Sequence, residues 1–238
     1  MLVEASKLTA HFAPGRDAAP PRHLGRRYDR AGVFQPEPGN TVVCHVVPGS
    51  ATQQALVDAR ARYMAMPEAK RLAFTPVESY HMTLFQGIIE DRRTLPYWPA
   101  GVAVDMPIPA MTDLFLKRLE ASSGGESFDV AITAAVPTGL MVDGATAADR
   151  HAMADWRNRF ADVFGYRHPD HDSYGFHITM AYVIEWFDAD AMPAWETMLN
   201  DVAKDIRERA PVLQLRAPAF CSFEDMNWFE ELRVFEPR

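Results

Sequence analysis

The sequence predicts an α+β fold built from two similar halves. Short β-branched or alternating runs suit strands, and longer runs with apolar residues three and four positions apart suit helices. The order strand, helix, strand occurs twice along the 238 residues.

Residues 1 to 40 are broken by Pro14, Pro20, Pro21, Pro36 and Pro38 and by several glycines, which suits an N-terminal arm of loops with one hairpin. Thr41 to Val47 is a β-branched, apolar strand that stops at Pro48-Gly49. Ser50 is placed to cap a helix on which Leu56, Ala59, Tyr63 and Met66 recur at spacings of 3, 4 and 3. His81 to Gly87 follows as a strand. In the second half Phe128 to Val136 alternates like a strand, Met153, Trp156, Phe160 and Val163 mark a helix, and Phe176 to Val183 is again a strand. Further helices are expected at about 110 to 121 and 190 to 207, the second carrying a stripe of Met192, Trp195, Leu199, Val202 and Ile206. Val212 to Ser222 and Leu232 to Phe235 suit closing strands. No linker or low-complexity segment separates the halves, so residues 41–238 are expected to be two lobes of one domain.

Composition narrows the function. A hydrophobic fraction of 48% with 24% charged residues suits a soluble globular protein, and no apolar run approaches the roughly 20 residues that span a bilayer. The start, Met1 to Pro14, lacks the basic-then-apolar pattern of a secretory signal, so a cytoplasmic monomer away from membranes is expected. A net charge of -8 disfavours long nucleic acid, whose binding needs a broad basic surface. The one basic concentration, Arg16, Arg22, Arg26, Arg27 and Arg30 with Asp17 and Asp29 interspersed, is either a solvated arm or a segment that folds over an anionic ligand. Cys44 and Cys221 lie in strand-like surroundings without metal-ligand spacing and are expected as buried thiols.

The chemistry lies in a repeated pentapeptide. Tyr80-His81-Met82-Thr83-Leu84 matches Phe176-His177-Ile178-Thr179-Met180 position by position: aromatic, His, aliphatic or Met, Thr, aliphatic or Met. With 8 histidines in the chain, composition alone predicts about half of one His-x-Thr, so two copies in one context carry weight. On a strand, each His and its Thr project to one face while the residue between them faces a core. If the two strands pair, or face each other across a groove, two imidazoles and two hydroxyls converge on one point. An imidazole has an ordinary pKa of about 6.5, so one ring can accept a proton while the other, protonated, delivers one. Two hydroxyls can steady a phosphoryl group between the rings. No metal or other cofactor is then required.

The paired motif resembles the 2H phosphoesterase superfamily, which includes the 2′-5′ RNA ligase-like proteins and cyclic nucleotide phosphodiesterases. The duplicated order over residues 41 to about 186 is similar to that superfamily's bilobal fold, which implies two antiparallel-rich sheets facing a central groove with helices outside. Pro38-Gly39-Asn40-Thr41-Val42-Val43-Cys44-His45 resembles a bacterial branch of it. The resemblance implies His81 and His177 as catalytic residues, Thr83 and Thr179 as phosphate ligands, and a small phosphodiester or cyclic phosphate, nucleotide-like, as substrate. The long Pro-rich arm and acidic balance depart from the ligase-like members and speak against RNA.

Other residues are weaker candidates for substrate contact. His45 lies on the first strand and either touches substrate or fills a core or edge position. Phe85 follows His81 and Thr83 in phase and either stacks on a base or packs. Tyr182 is out of phase with His177, which points it to the core, and Trp98 and Trp228 lie in loops that could wall the groove. His168-Pro169-Asp170-His171-Asp172 offers an alternative, a metal-dependent hydrolase, although the ligands sit in a short turn. A nucleotide-binding protein without turnover is a further alternative.

Overall fold

The computed structural model of the chain describes residues 9–15 and 18–236. Arg16 and Asp17 of the basic arm, like residues 1–8, lie outside the described residues. Along the chain run β1 (Gly39–His45), α1 (Ala51–Met64), β2 (Leu72–Phe74), β3 (His81–Phe85), α2 (Ile108–Leu119), β4 (Val130–Val136), β5 (Gly139–Gly144), α3 (Ala147–Phe164), β6 (His177–Thr179), β7 (Ala181–Val183), α4 (Met192–Arg209), β8 (Ala219–Phe223) and β9 (Glu230–Val234). The architecture is α+β.

Local sequence accounts for the helix ends. Ser50 caps α1 by accepting from the Gln53 N–H. Met66, expected on the α1 stripe, falls past its end, where Pro67 begins a separate 3-10 turn. Thr146 and Asp149 form a capping box on α3, and Gly165 at φ 80° ends it. Trp195, Leu199, Val202 and Ile206 form the buried stripe of α4.

Seven strands form one antiparallel sheet in the order β4-β5-β6-β3-β1-β8-β9, and β2 pairs with β7 in a second, smaller one. One core joins residues of all four helices to Met82, Leu84 and Ile178. Across the sheet from that core lies a cleft, lined by His81 and Thr83 of the large sheet and Tyr182 of the small one. Two antiparallel sheets thus face a central groove with the helices on the far side.

Three strand expectations change. The run Phe176 to Val183 is not one strand: the Met180 N–H donates to the Thr138 carbonyl and the Met180 carbonyl accepts from the Thr75 N–H, so the chain leaves the large sheet and enters the small one. β5, unanticipated, returns from β4 in a hairpin at Gly139, whose φ of 142° suits glycine. The expected strand from Val212 shortens to β8, with Leu215 only bridged to Val46.

The arm folds back on the body. Tyr28 is buried with Ala73 and Ile184, and its hydroxyl donates to the Val183 carbonyl at 2.7 Å. The Arg27 guanidinium pairs with Glu37 at 2.6 Å, and Arg26 pairs with Asp91 at 3.1 Å. No helix of the described residues is long and apolar enough to cross a membrane.

Candidate active site

The floor of the cleft is made by β3 and β6. They pair antiparallel with Met82 opposite Ile178, both fully buried in the core. That register sets His81 opposite Thr179 and Thr83 opposite His177, and all four line the cleft. The two histidines are diagonal neighbours, which in an antiparallel pair means a backbone separation of about 7–8 Å, a span one phosphate can fill. The half-open cleft has a volume of about 330 Å³.

Both imidazoles are held in the same way. The Nδ1 of His81 lies 2.7 Å from the Ser79 carbonyl, and the Nδ1 of His177 lies 3.0 Å from the Gly175 carbonyl, each two residues upstream. A carbonyl only accepts, so Nδ1 carries the proton in both rings and Nε2 is left as the free nitrogen. The surroundings differ. His81 packs on Phe229 with ring centroids 4.2 Å apart, and burial pushes its pKa down to about 3, helped by His45 and His177 and opposed by the Ser79 carbonyl. The bond from His177 to Gly175 is exposed where that of His81 is part-buried, and the His177 ring lies 6.0 Å from that of Tyr174.

Tyr174 lines the cleft with Thr83 and Gln86, and burial raises the pKa of its hydroxyl to about 12 against the opposing pull of Arg157, Gln86 and Thr83. Behind it, the buried Arg157 stacks on the Tyr174 ring at 4.4 Å and donates to the carbonyls of Leu84 at 2.7 Å and His171 at 3.0 Å. This polar brace fixes β3 and the loop before β6 to α3.

The weaker candidates do not line the cleft. Phe85 is buried against Phe160, Phe164 and Tyr166, because an irregularity in the β1–β3 ladder inserts an extra residue after Thr83 and turns Leu84 and Phe85 both to the core. His45 lies beside His81 in that ladder, outside the cleft, with Nδ1 3.0 Å from Glu231. Trp98 is fully buried, and Trp228, at 62% exposed, projects into solvent without lining the cleft. Tyr182 goes the other way: expected in the core, it lines the cleft because the change of sheet at Met180 resets its phase.

The His168 and His171 rings are buried apart from the cleft lining. His168 Nδ1 donates to the Gln86 side-chain oxygen, and His171 Nε2 lies 3.1 Å from that of Asn158. Among the described residues, no group of three or more His, Cys, Asp or Glu side chains is placed to hold a metal ion, so this loop lacks the ligand set its sequence suggested. Cys44 and Cys221 are buried free thiols.

Sequence reading missed much of the wall. Arg22, His23 and Arg27 reach the cleft from the arm, and Arg92 reaches it from the loop after β3. The basic run in the arm was the signal for the first group, since one of its two readings was a segment folding over an anion. Arg92 had no local signal. Phe223, Met226 and Phe229, from β8 and the turn into β9, make the apolar side opposite.

Residues 27–141 match the family model 2H-phosphodiest, described as a domain of unknown function, DUF1868. That match takes in His81 and Thr83 and stops short of His177. The chain is 51% identical to a conserved protein of unknown function, ATU0111, from Agrobacterium tumefaciens, whose crystal structure superposes with a TM-score of 0.95 over 97% of this chain and 100% of that one. No curated protein matches the chain.

Proposed function

The chain belongs to the 2H phosphodiesterase family of the 2H phosphoesterase superfamily, and from that premise we propose that it is a metal-independent phosphoesterase acting on a small phosphodiester or cyclic phosphate. The observation that carries this reading is the pair of imidazoles on adjacent strands, each with Nδ1 tied to a carbonyl and Nε2 free.

In hydrolysis, the His81 Nε2 takes a proton from the attacking water as its oxygen bonds to phosphorus. The bond from phosphorus to the leaving oxygen breaks, and His177, protonated, delivers the Nε2 proton to that oxygen. The packing of His81 against Phe229, and the exposed hydrogen bond of His177, support this assignment of base and acid. The Thr83 and Thr179 hydroxyls donate to the non-bridging oxygens, where charge grows in the transition state. Transesterification by the same groups replaces water with a substrate hydroxyl. The acidic balance of the chain and the small, half-open cleft support a nucleotide-sized substrate rather than a long nucleic acid, and a cytoplasmic setting suits it.

The test is turnover of a panel of cyclic and linear phosphodiesters, in excess chelator, by wild type, His81→Ala and His177→Ala. Turnover by the wild type, with a loss of about 10²-fold or more in each variant, supports the reading. Tight binding with no turnover of any member would favour a nucleotide-binding protein instead.

A further inference from the structure

The cleft has a second pole. His81 feels the charge of His45 and His177, whereas His23, in the same cleft, is pushed down to about 4 by burial and by Arg27, Arg22, Arg26 and Arg92. In a protein with a net charge of -8, four arginines meet around this one histidine. Two of the four are neutralised: Arg27 by Glu37 at 2.6 Å and Arg26 by Asp91 at 3.1 Å. These pairs anchor the arm to the body, and Arg27 also reaches the Tyr182 hydroxyl at 3.3 Å. Arg22 and Arg92 have no carboxylate partner among the described residues.

Arg92 is prepared for a ligand rather than for solvent. Its guanidinium lies over the Tyr97 ring at 4.6 Å, which fixes its plane, and it makes only a long contact of 3.5 Å to the Gly87 carbonyl. Its Nε is buried and has no hydrogen-bond partner. A buried guanidinium donor left unpaired is costly, and a planar fork of donors suits the oxygens of a phosphoryl group.

Building on the phosphoesterase reading, we propose that Arg22 and Arg92, with Arg27 anchoring the arm between them and the body, form a second anion site, and that the substrate is a small phosphodiester bearing a terminal phosphoryl group besides the reacting phosphorus. Two unneutralised arginines match the charge of about -1.5 to -2 on a terminal phosphate better than the single charge of a carboxylate. The apolar side formed by Met226 and Phe229 faces the uncharged part of such a molecule.

Two measurements test this. Calorimetric titration of the full chain with inorganic phosphate is expected to show two sites per chain in the wild type, one after Arg22→Gln with Arg92→Gln, and one after Thr83→Val with Thr179→Val. A single site in the wild type, or two in the arginine variant, overturns the proposal. Arg22 is exposed, so Arg22→Gln alone keeps the fold and should weaken one site only.

The second measurement compares a 2′,3′-cyclic nucleotide with its 5′-phosphorylated and 5′-carboxylate counterparts. The wild-type kcat/KM should favour the 5′-phosphate by about tenfold or more, and that ratio should fall towards one in the arginine variant. Equal wild-type rates, or an equal preference for the carboxylate, overturn the phosphoryl site while leaving the phosphoesterase reading intact. If the wild type turns over none of them, the phosphoesterase reading fails for these substrates, and the phosphate titration still decides whether the second site exists.

Discussion

Met82 and Ile178 face each other across the β3–β6 ladder, and neither side chain reaches solvent. Burial of this one pair turns the residues on either side of each partner, His81, Thr83, His177 and Thr179, to the opposite face and into a common cleft. Two triplets far apart in the chain become one site because their central residues share a core.

Stability and activity should therefore separate along a single strand. Ile178→Ala should lower unfolding free energy by about 2–5 kcal/mol in urea, since it opens a cavity under the floor. Thr179→Ala, one position on and half-exposed, should stay within about 1 kcal/mol of wild type while turnover falls. Equal losses of stability in both variants would place Thr179 in the packing rather than at the phosphate.

The pH dependence of kcat/KM should lack the usual histidine limb on the acid side. With burial holding His81 near 3 in the free protein, the proposed base stays unprotonated well below the ordinary value of about 6.5. The cause is enclosure, in which Phe229 takes part, so Phe229→Ala should admit water and move an acid limb up towards 6.5. A wild-type limb already at 6.5 would assign the base elsewhere.

Folding stability should also fall with acid, for the same reason. The folded pKa values of His81 and His168, about 3, and of His23, about 4, lie below the unfolded value of 6.5. Above 6.5 these rings are neutral in both states and cost nothing. As pH falls from 6.5 towards 4 the unfolded chain binds protons that the folded chain refuses, so stability drops, with a ceiling of about 1.4 kcal/mol per pH unit for each ring. Urea midpoints measured from pH 7 to 4 should fall less steeply in His81→Asn than in wild type. Parallel slopes would mean that His81 is not held neutral.

Tyr174 and Arg157 act on the site from behind. Tyr174→Phe removes a hydroxyl from the cleft lining beside Thr83 and Gln86 and should lower kcat/KM by about three- to tenfold, the worth of one hydrogen bond, with little change in the urea midpoint. Arg157→Met strips the donors from the buried carbonyls of Leu84 and His171 and should destabilise the fold by about 2–4 kcal/mol. A Tyr174→Phe protein with wild-type kinetics would free Thr83 of that support.

The sequence carried most of the regular elements and the four residues of the two triplets that line the cleft. Ser50, the Met153, Trp156, Phe160 and Val163 spacing and the α4 stripe are local signals, and each produced the helix it announced. Where the pattern misled, the backbone had departed from regularity. A period of two predicts Phe85 on the face of Thr83 and Tyr182 opposite His177; the extra residue in β3 reverses the first, and the change of sheet at Met180 reverses the second. Neither event is set by the residue concerned. Both depend on which carbonyl or strand lies alongside, as with Met180 between Thr138 and Thr75.

By itself, the sequence determined the α+β class, the two His-x-Thr triplets and the chemistry that two imidazoles and two hydroxyls can perform, because these rest on side-chain types and on periodicities that repeat over a few residues. Only the tertiary structure decided that β3 pairs directly with β6, that one imidazole packs on Phe229 while the other bonds at an exposed carbonyl, and that Arg22, Arg27 and Arg92 share the cleft with them. Enclosure and convergence are properties of neighbours in space, and the long-range contacts that make them leave no periodic trace along the chain.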